Sequence, residues 1–248
     1  MDENVNVFDE DFKDGIYVPR NPKKRVPRRK NNLTKFIASN LIKGILAGIM
    51  ISIGCIAYLG TSKYLGPFLF SVGFFAIYSY GFNLFTAKIG YLPVNNKNKN
   101  WQLIPMWFGN LIGALIVGYL VRITEISETL TQRASQISAP KLGASAVSVF
   151  VLAIFCGVLM FVSADNFKNS TNNVQKYLAI ILPAAVLPLC GFETCVANTF
   201  FFSAANCWSF KAFLYIVIMT LGNAVGAIII PICHTLVSAL RPKRENKQ

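Results

Sequence analysis

Six apolar runs dominate this 248-residue chain, near residues 37–60, 68–92, 104–124, 143–165, 177–207 and 211–238. About 20 apolar residues cross the hydrocarbon core of a bilayer as a helix, so each run has spanning length. Only 14% of the residues are charged, against roughly 25% in an average soluble domain. The charges are also segregated: residues 1–35 carry nine Lys/Arg and residues 241–248 carry four. The chain therefore divides into a cytosolic tail (1–35, acidic then basic), a six-span unit (36–238) and a short basic tail (239–248). The first run starts too far in for a cleaved signal peptide.

Lys/Arg placement sets the expected orientation. With both termini inside, the N-tail, 93–103, 166–176 and the C-tail hold 9, 2, 2 and 4 basic residues. The outer loops, 61–67 and 125–142, hold only Lys63, Arg133 and Lys141, with Lys211 beginning the last run. The sequons at Asn32 and Asn169 fall inside on this topology and should stay unmodified. RNPKKRVPRRK at 20–30 fits binding to anionic lipid of the inner leaflet; the positive-inside rule accounts for it without nucleic acid.

Two pairs of strings recur in order. GFNLFTA (81–87) and GFETCVAN (191–198) are 110 residues apart; GNLIGA (109–114) and GNAVGA (222–227) are 113 apart. Each first string interrupts the second apolar run of its half. Three spans per half is an odd number, so the second half enters the membrane upside down. The two interruptions then approach the bilayer middle from opposite faces as broken helices, a pointer to a midplane transport site. Unpaired backbone groups at that depth need a cover of protein or a water-filled cavity. The spacings Gly44/Gly48, Gly109/Gly113 and Gly222/Gly226 predict close helix packing.

The strings LFT (84–86), NWQLIPMWFGNLIGA (100–114), CGVLM (156–160), GFETCVAN (191–198) and LGNAVGA (221–227), in register over residues 36–238, resemble the formate/nitrite transporter family. The resemblance implies an aquaporin-like six-helix protomer in a homopentamer, with one anion path per protomer. It also implies roles for individual residues. Leu84 and Phe85 match hydrophobic constrictions around a central chamber, and Thr86 a hydroxyl facing it. By register, Phe70, Phe74, Leu187, Met160 and Phe192 complete the apolar walls. Lys141 matches a lysine near the chamber. The family's second break reads Glu-His-Ser where this chain has Glu193-Thr194-Cys195, so the central His is replaced by Thr194. Asn83, Ala87-Lys88 and Gly157 depart from the pattern as well.

The implied function is a multi-pass channel, in a plasma or cytoplasmic membrane, for small monovalent weak-acid anions: formate, acetate, nitrite, lactate or hydrosulfide. A bare carboxylate in a low-dielectric slit faces a Born cost on the order of tens of kcal/mol, and the neutral acid far less. Lys141 would draw the anion in, and it would cross as the acid or with a proton. Threonine offers only a neutral hydroxyl where histidine could titrate.

Glu193 is expected to accept backbone N–H bonds at its break, with an ion pair as the alternative, and Asn198 to cap or brace it. Lys88 is expected to snorkel to the inner interface, and His234 to lie at that interface. The six cysteines read as small buried hydrophobes; none forms C-x-x-C, and no metal or cofactor is implied. An enzyme lacks paired carboxylates and H-E-x-x-H. A water or glycerol channel lacks the Asn-Pro-Ala pair, and a scaffold would leave the matched breaks without a reason.

Overall fold

The computed structural model describes residues 12–13, 16–17, 33–93 and 100–240. The charged runs at 20–30 and 241–248, the first sequon's Asn32, and Lys97 and Lys99 lie outside the described residues. Near the N-terminus β1 (Phe12–Lys13) pairs antiparallel with β2 (Ile16–Tyr17), Phe12 opposite Tyr17. The other elements among the described residues are helices: α1 (Leu33–Gly60), α2 (Leu65–Tyr80), α3 (Phe85–Lys88) with a 3₁₀ turn (Ile89–Tyr91), α4 (Leu103–Leu120), α5 (Ser127–Gly143), α6 (Ala146–Asn169), α7 (Asn173–Leu189), α8 (Cys195–Ala204) and α9 (Phe210–Leu240).

Among the described residues four helices have the length and apolarity to cross a membrane, with α4 extended to Ile123: α1, α4, α6 and α9. The second run, expected to be interrupted, is a pair, Leu65–Tyr80 and Phe85–Tyr91, bent by 63° at its break. The expected fifth run is two shorter apolar helices, α7 and α8. The stretch read as an outer loop at 125–142 is mostly the helix α5. Its polar sequence hid it from a search for apolar runs, and it buries one narrow face, Leu130, Ala134 and Ser138.

Glycine lets the long helices touch. α1 packs chiefly on α4, and α6 on α9. A Cβ on Gly48 would stand 2.2 Å from the Asn110 carbonyl oxygen, and one on Gly157 would stand 2.2 Å from that of Asn223. Gly113 and Gly226 face Ile45 O and Ile154 O at 2.2 and 2.0 Å on the same test. These positions admit only hydrogen, as the Gly-x-x-x-Gly spacing predicts. Gly157 thus matches Gly48 in packing.

α5 is tied down near its middle and just beyond its C-terminal end. Arg133 Nη1 donates to the carbonyl oxygens of Leu59 and Thr61 at the α1–α2 turn. Tyr215 of α9 donates its hydroxyl to Ala144 O at 2.6 Å, three residues beyond Lys141. These contacts fix where the Lys141 ammonium can reach.

Candidate functional site

The two interruptions end their helices in the same way. Gly81 (φ 65°) and Gly191 (φ 67°) adopt left-handed conformations that residues with a Cβ rarely enter. Phe82 N then bonds Ile77 O, and Phe192 N bonds Leu187 O, each at 2.9 Å. This is the hydrogen bond of a glycine-terminated helix. The chain runs extended through Leu84 (φ −97°, ψ 121°) and Thr194 (φ −117°, ψ 130°) before α3 and α8 begin. In this register Thr194 corresponds to Leu84, and not to Thr86.

An asparagine from a neighbouring long helix braces each break. Asn110 Oδ1 accepts from Phe85 N (2.8 Å), while its Nδ2 donates to Asn83 O (2.8 Å) and Gly44 O (2.9 Å). Asn223 Oδ1 accepts from Cys195 N (3.1 Å), while its Nδ2 donates to Glu193 O (2.8 Å) and Ala153 O (2.9 Å). Both residues are 0% exposed. Each carboxamide satisfies one orphan N–H at a helix start and one stray carbonyl in the break, and adds a bond to one carbonyl within a long helix. Further bonds match too: Asn83 N reaches Lys43 O, and Glu193 N reaches Leu152 O, both at 3.3 Å. The asparagines lie inside GNLIGA and GNAVGA, where the glycine spacing predicts helix packing but gives no sign of the bracket.

The polar groups beside the breaks differ. At the second, Glu193 is 4% exposed and its Oε2 lies 2.5 Å from Lys141 Nζ. Asn198 Nδ2 donates to the same oxygen at 2.8 Å and to Thr194 O at 2.9 Å, bracing α8 as expected. The expectation that the Glu193 carboxylate takes backbone N–H groups is corrected: it takes an ammonium and an amide. A buried carboxylate needs a cationic partner more than it needs neutral donors. At the first break Asn83 stands where Glu193 stands, and Lys88 where Asn198 stands. Lys88 Nζ donates to Asn83 Oδ1 at 2.6 Å, and Asn83 Nδ2 to Asn40 Oδ1 at 2.8 Å. Lys88 therefore turns back onto its own break, which corrects the snorkelling expectation.

The apolar residues expected to form constrictions divide. Phe70, Phe74, Leu84, Met160 and Leu187 lie in one buried cluster, with half-buried Phe192 packed against it. The Phe70 and Phe74 rings meet edge-on at 5.3 Å. Phe85 belongs to a second cluster, with Ile89, Met106 and Phe161. Thr86 and Thr194 are buried, 1% and 7% exposed. Cys55, Cys156 and Cys195 are buried as expected; Cys190 and Cys233 are exposed and Cys207 is intermediate. His234 is exposed near the end of α9.

The arrangement defines a class: an integral membrane transport protein, all-helical, with two matched helix interruptions braced from neighbouring helices. Residues 26–237 match the formate/nitrite transporter family, and the chain belongs to that family. It is not an enzyme family. The formate channel FocA of Escherichia coli K12 is 24% identical over 192 residues, covering 67% of this chain and 66% of that protein. The chain thus spans just under two thirds of that relative. The uncharacterized transporter YrhG of Bacillus subtilis 168 is 25% identical over 221 residues, covering 78% and 82%. Among solved structures, a pentameric formate channel with formate bound superposes with a TM-score of 0.69 at 23% identity, over 84% of this chain and 99% of that one. At this identity the likeness speaks for the fold.

Proposed function

We propose that this protein is a channel for small monovalent weak-acid anions, formate foremost, which cross as the neutral acid or together with a proton. The observation that carries the reading is the pair of equivalent breaks braced by Asn110 and Asn223, with the Lys141–Glu193 pair beside one of them. On this reading α2 with α3, and α7 with α8, are two broken spans in a six-span protomer of two inverted three-helix repeats. Both termini face the cytosol, and five protomers assemble in the plasma or cytoplasmic membrane.

The chemistry follows from the groups present. The first N–H groups of α3 and α8 have no partner within their helices, and the asparagines take one at each start. The remaining donors, with the Thr86 and Thr194 hydroxyls, offer neutral hydrogen bonds to a small oxyacid. Lys141 retains donors beyond the one used by Glu193 and draws the anion toward the break. Leu84, Phe70, Phe74, Met160 and Leu187, with Phe85 and Phe192 at the margins, exclude the hydrated anion and admit the protonated form. With Thr194 in the histidine's place, the proton comes from water at the mouth.

The short Lys141–Glu193 distance favours one competitor. A neutralised lysine attracts anions less, which suits a channel for water or glycerol-like solutes. Flux measurements in proteoliposomes separate the two. Formate, acetate, nitrite and lactate should cross faster at acidic pH, and chloride should not cross. Absence of flux for every weak acid at acidic pH overturns the proposal, and water flux in that case establishes the competitor.

A further inference from the structure

An open seam runs between two of the long helices. α4 packs chiefly on α1 and α9 on α6, while α4 and α9 stand apart along two cavities of about 340 and 570 Å³. Trp107 divides them: its indole N–H crosses from α4 to α9 and donates to the Thr220 hydroxyl at 3.1 Å. The smaller cavity runs from Trp107 toward Tyr119 on α4, with Trp208 and Phe213 opposite. The larger runs the other way, toward Trp101. The half-helices that follow the breaks form the floor, Thr199 of α8 under the first cavity and Phe85 of α3 under the second. All three tryptophans of the chain line this seam.

The dimensions and chemistry select what fills it. α9 begins at Phe210, and Thr220 lies about 15 Å along it at the rise of a helix. The hydrocarbon core is about 30 Å thick, so the Trp107–Thr220 bridge sits near its middle and each cavity opens toward one leaflet. The lips are apolar and turned outward: Phe108 is 52% exposed and Phe213 58%. Trp101 and Tyr119 stand at the two ends, where amphipathic rings meet headgroups. Beyond Tyr119, the Arg122 guanidinium lies 5.7 Å from its ring, a cation for a lipid phosphate at that depth. A helix of a second copy, about 10–12 Å across, cannot pass the bridge. Laid over the lips, it would leave both cavities empty and their walls without contacts. A slender, flexible hydrocarbon chain fills them.

We infer that the α4–α9 seam faces the bilayer and holds acyl chains of membrane phospholipid, one from each leaflet, with one headgroup beside Arg122. Contacts between copies of the chain then use other faces. The chains lie against α3 and α8, so lipid touches both half-helices that start at the breaks. The inference requires that α4 and α9 span a bilayer, and it holds or fails independently of the solute that the protein passes.

The test uses the full chain in proteoliposomes of phosphatidylcholine brominated on its acyl chains, since bromine quenches indole emission on contact. Wild type, with every tryptophan in the seam, should lose emission several-fold relative to the unbrominated lipid. The double variant Trp101→Phe, Trp208→Phe leaves Trp107 alone. Its emission should fall more with bromine near the methyl end of the chain than with bromine near the headgroup, and iodide in the water should leave it unchanged. Adding Arg122→Gln should raise severalfold the share of brominated phosphatidylglycerol needed for equal quenching in a mixed bilayer; an equal share overturns the headgroup contact. Emission indifferent to brominated lipid overturns the inference and shows the seam covered by a second copy. Quenching of Trp107 by iodide overturns it in favour of water-filled cavities. Formate flux in the same liposomes reports on the channel reading, and its absence leaves the quenching result standing.

Discussion

Asn110 and Asn223 are 113 residues apart, and each makes the same three hydrogen bonds to the break of its own half. Each accepts one N–H at a helix start, and each donates to one carbonyl in the break and one on a long helix. A transport protein needs unwound backbone at its centre, yet backbone groups at that depth must be paired. One asparagine per half resolves that conflict with a side chain that offers both a carbonyl and two N–H groups.

Replacing either asparagine by alanine should therefore be costly. Asn110→Ala strands the Phe85 N–H and the Asn83 carbonyl, and removes the tie to Gly44 O on α1. With about 1–3 kcal/mol for each buried group left unmade, a loss on the order of 3 kcal/mol is expected. For a chain of this size that lowers the melting midpoint by about 6–12 °C. Asn223→Ala should behave alike. A midpoint within a degree of wild type for either variant would show that water replaces the bracket freely.

Thr194 corresponds in backbone position to Leu84, and it offers a hydroxyl where a titrating ring is expected from the family pattern. In wild type, formate flux should rise smoothly as pH falls and more acid forms at the mouth. Thr194→His should add a step near the ordinary histidine range, about pH 6.5, as the ring becomes charged. Flux at two-tenths-unit pH intervals resolves such a step. Superimposable profiles would mean that position 194 has no part in proton supply.

Close helix approach makes a third prediction. Gly226→Ala would place a methyl 2.0 Å from Ile154 O, and Gly48→Ala one 2.2 Å from Asn110 O. Backbone cannot yield as a side chain can, so α1–α4 or α6–α9 must separate and carry Asn110 or Asn223 away from its break. Both variants should lose several kcal/mol, at the upper end of what single changes do. Gly143→Ala is the control: nothing lies within 4 Å of that Cβ, and the added helix preference should leave stability equal or slightly higher. Equal melting of Gly226→Ala and Gly143→Ala contradicts this packing.

The breaks were legible in sequence because glycine is the residue that leaves a helix left-handed, and Gly81 and Gly191 both precede Phe. The asparagine bracket was visible as an Asn following the first Gly of each repeated string, but a hydropathy reading gives weight to the glycines. α5 was not legible as a helix. Its signal is a short buried stripe, Leu130, Ala134 and Ser138, among polar residues, and its position depends on Arg133 and Tyr215 meeting carbonyls 71 to 74 residues away. The Lys141–Glu193 contact joins residues 52 apart through that same helix. In the sequence the ion pair is only the alternative to backbone N–H bonds at Glu193, because nothing in the spacing brings Lys141 to it. Lys88 turned back onto Asn83 for a related reason: beside a buried amide carbonyl, the ammonium has a nearer acceptor than the inner interface.

The Lys141–Glu193 pair should separate attraction from structure. Lys141→Ala leaves a carboxylate that is 4% exposed with only the Asn198 amide beside it, and breaking a buried pair in this way costs about 3–5 kcal/mol. Glu193→Gln keeps an acceptor for Asn198 and releases the Lys141 charge, whose side chain is 16% exposed and can reach water. That variant should fold nearly as well as wild type. Its formate flux should rise severalfold at neutral pH, where the anion dominates, and change little at acidic pH. Combining the two changes should restore much of the stability lost in Lys141→Ala, because no unpaired charge remains, while flux at neutral pH falls below wild type. Lowered flux in Glu193→Gln at neutral pH, with unchanged melting, would show that the paired lysine and not the free one serves the anion.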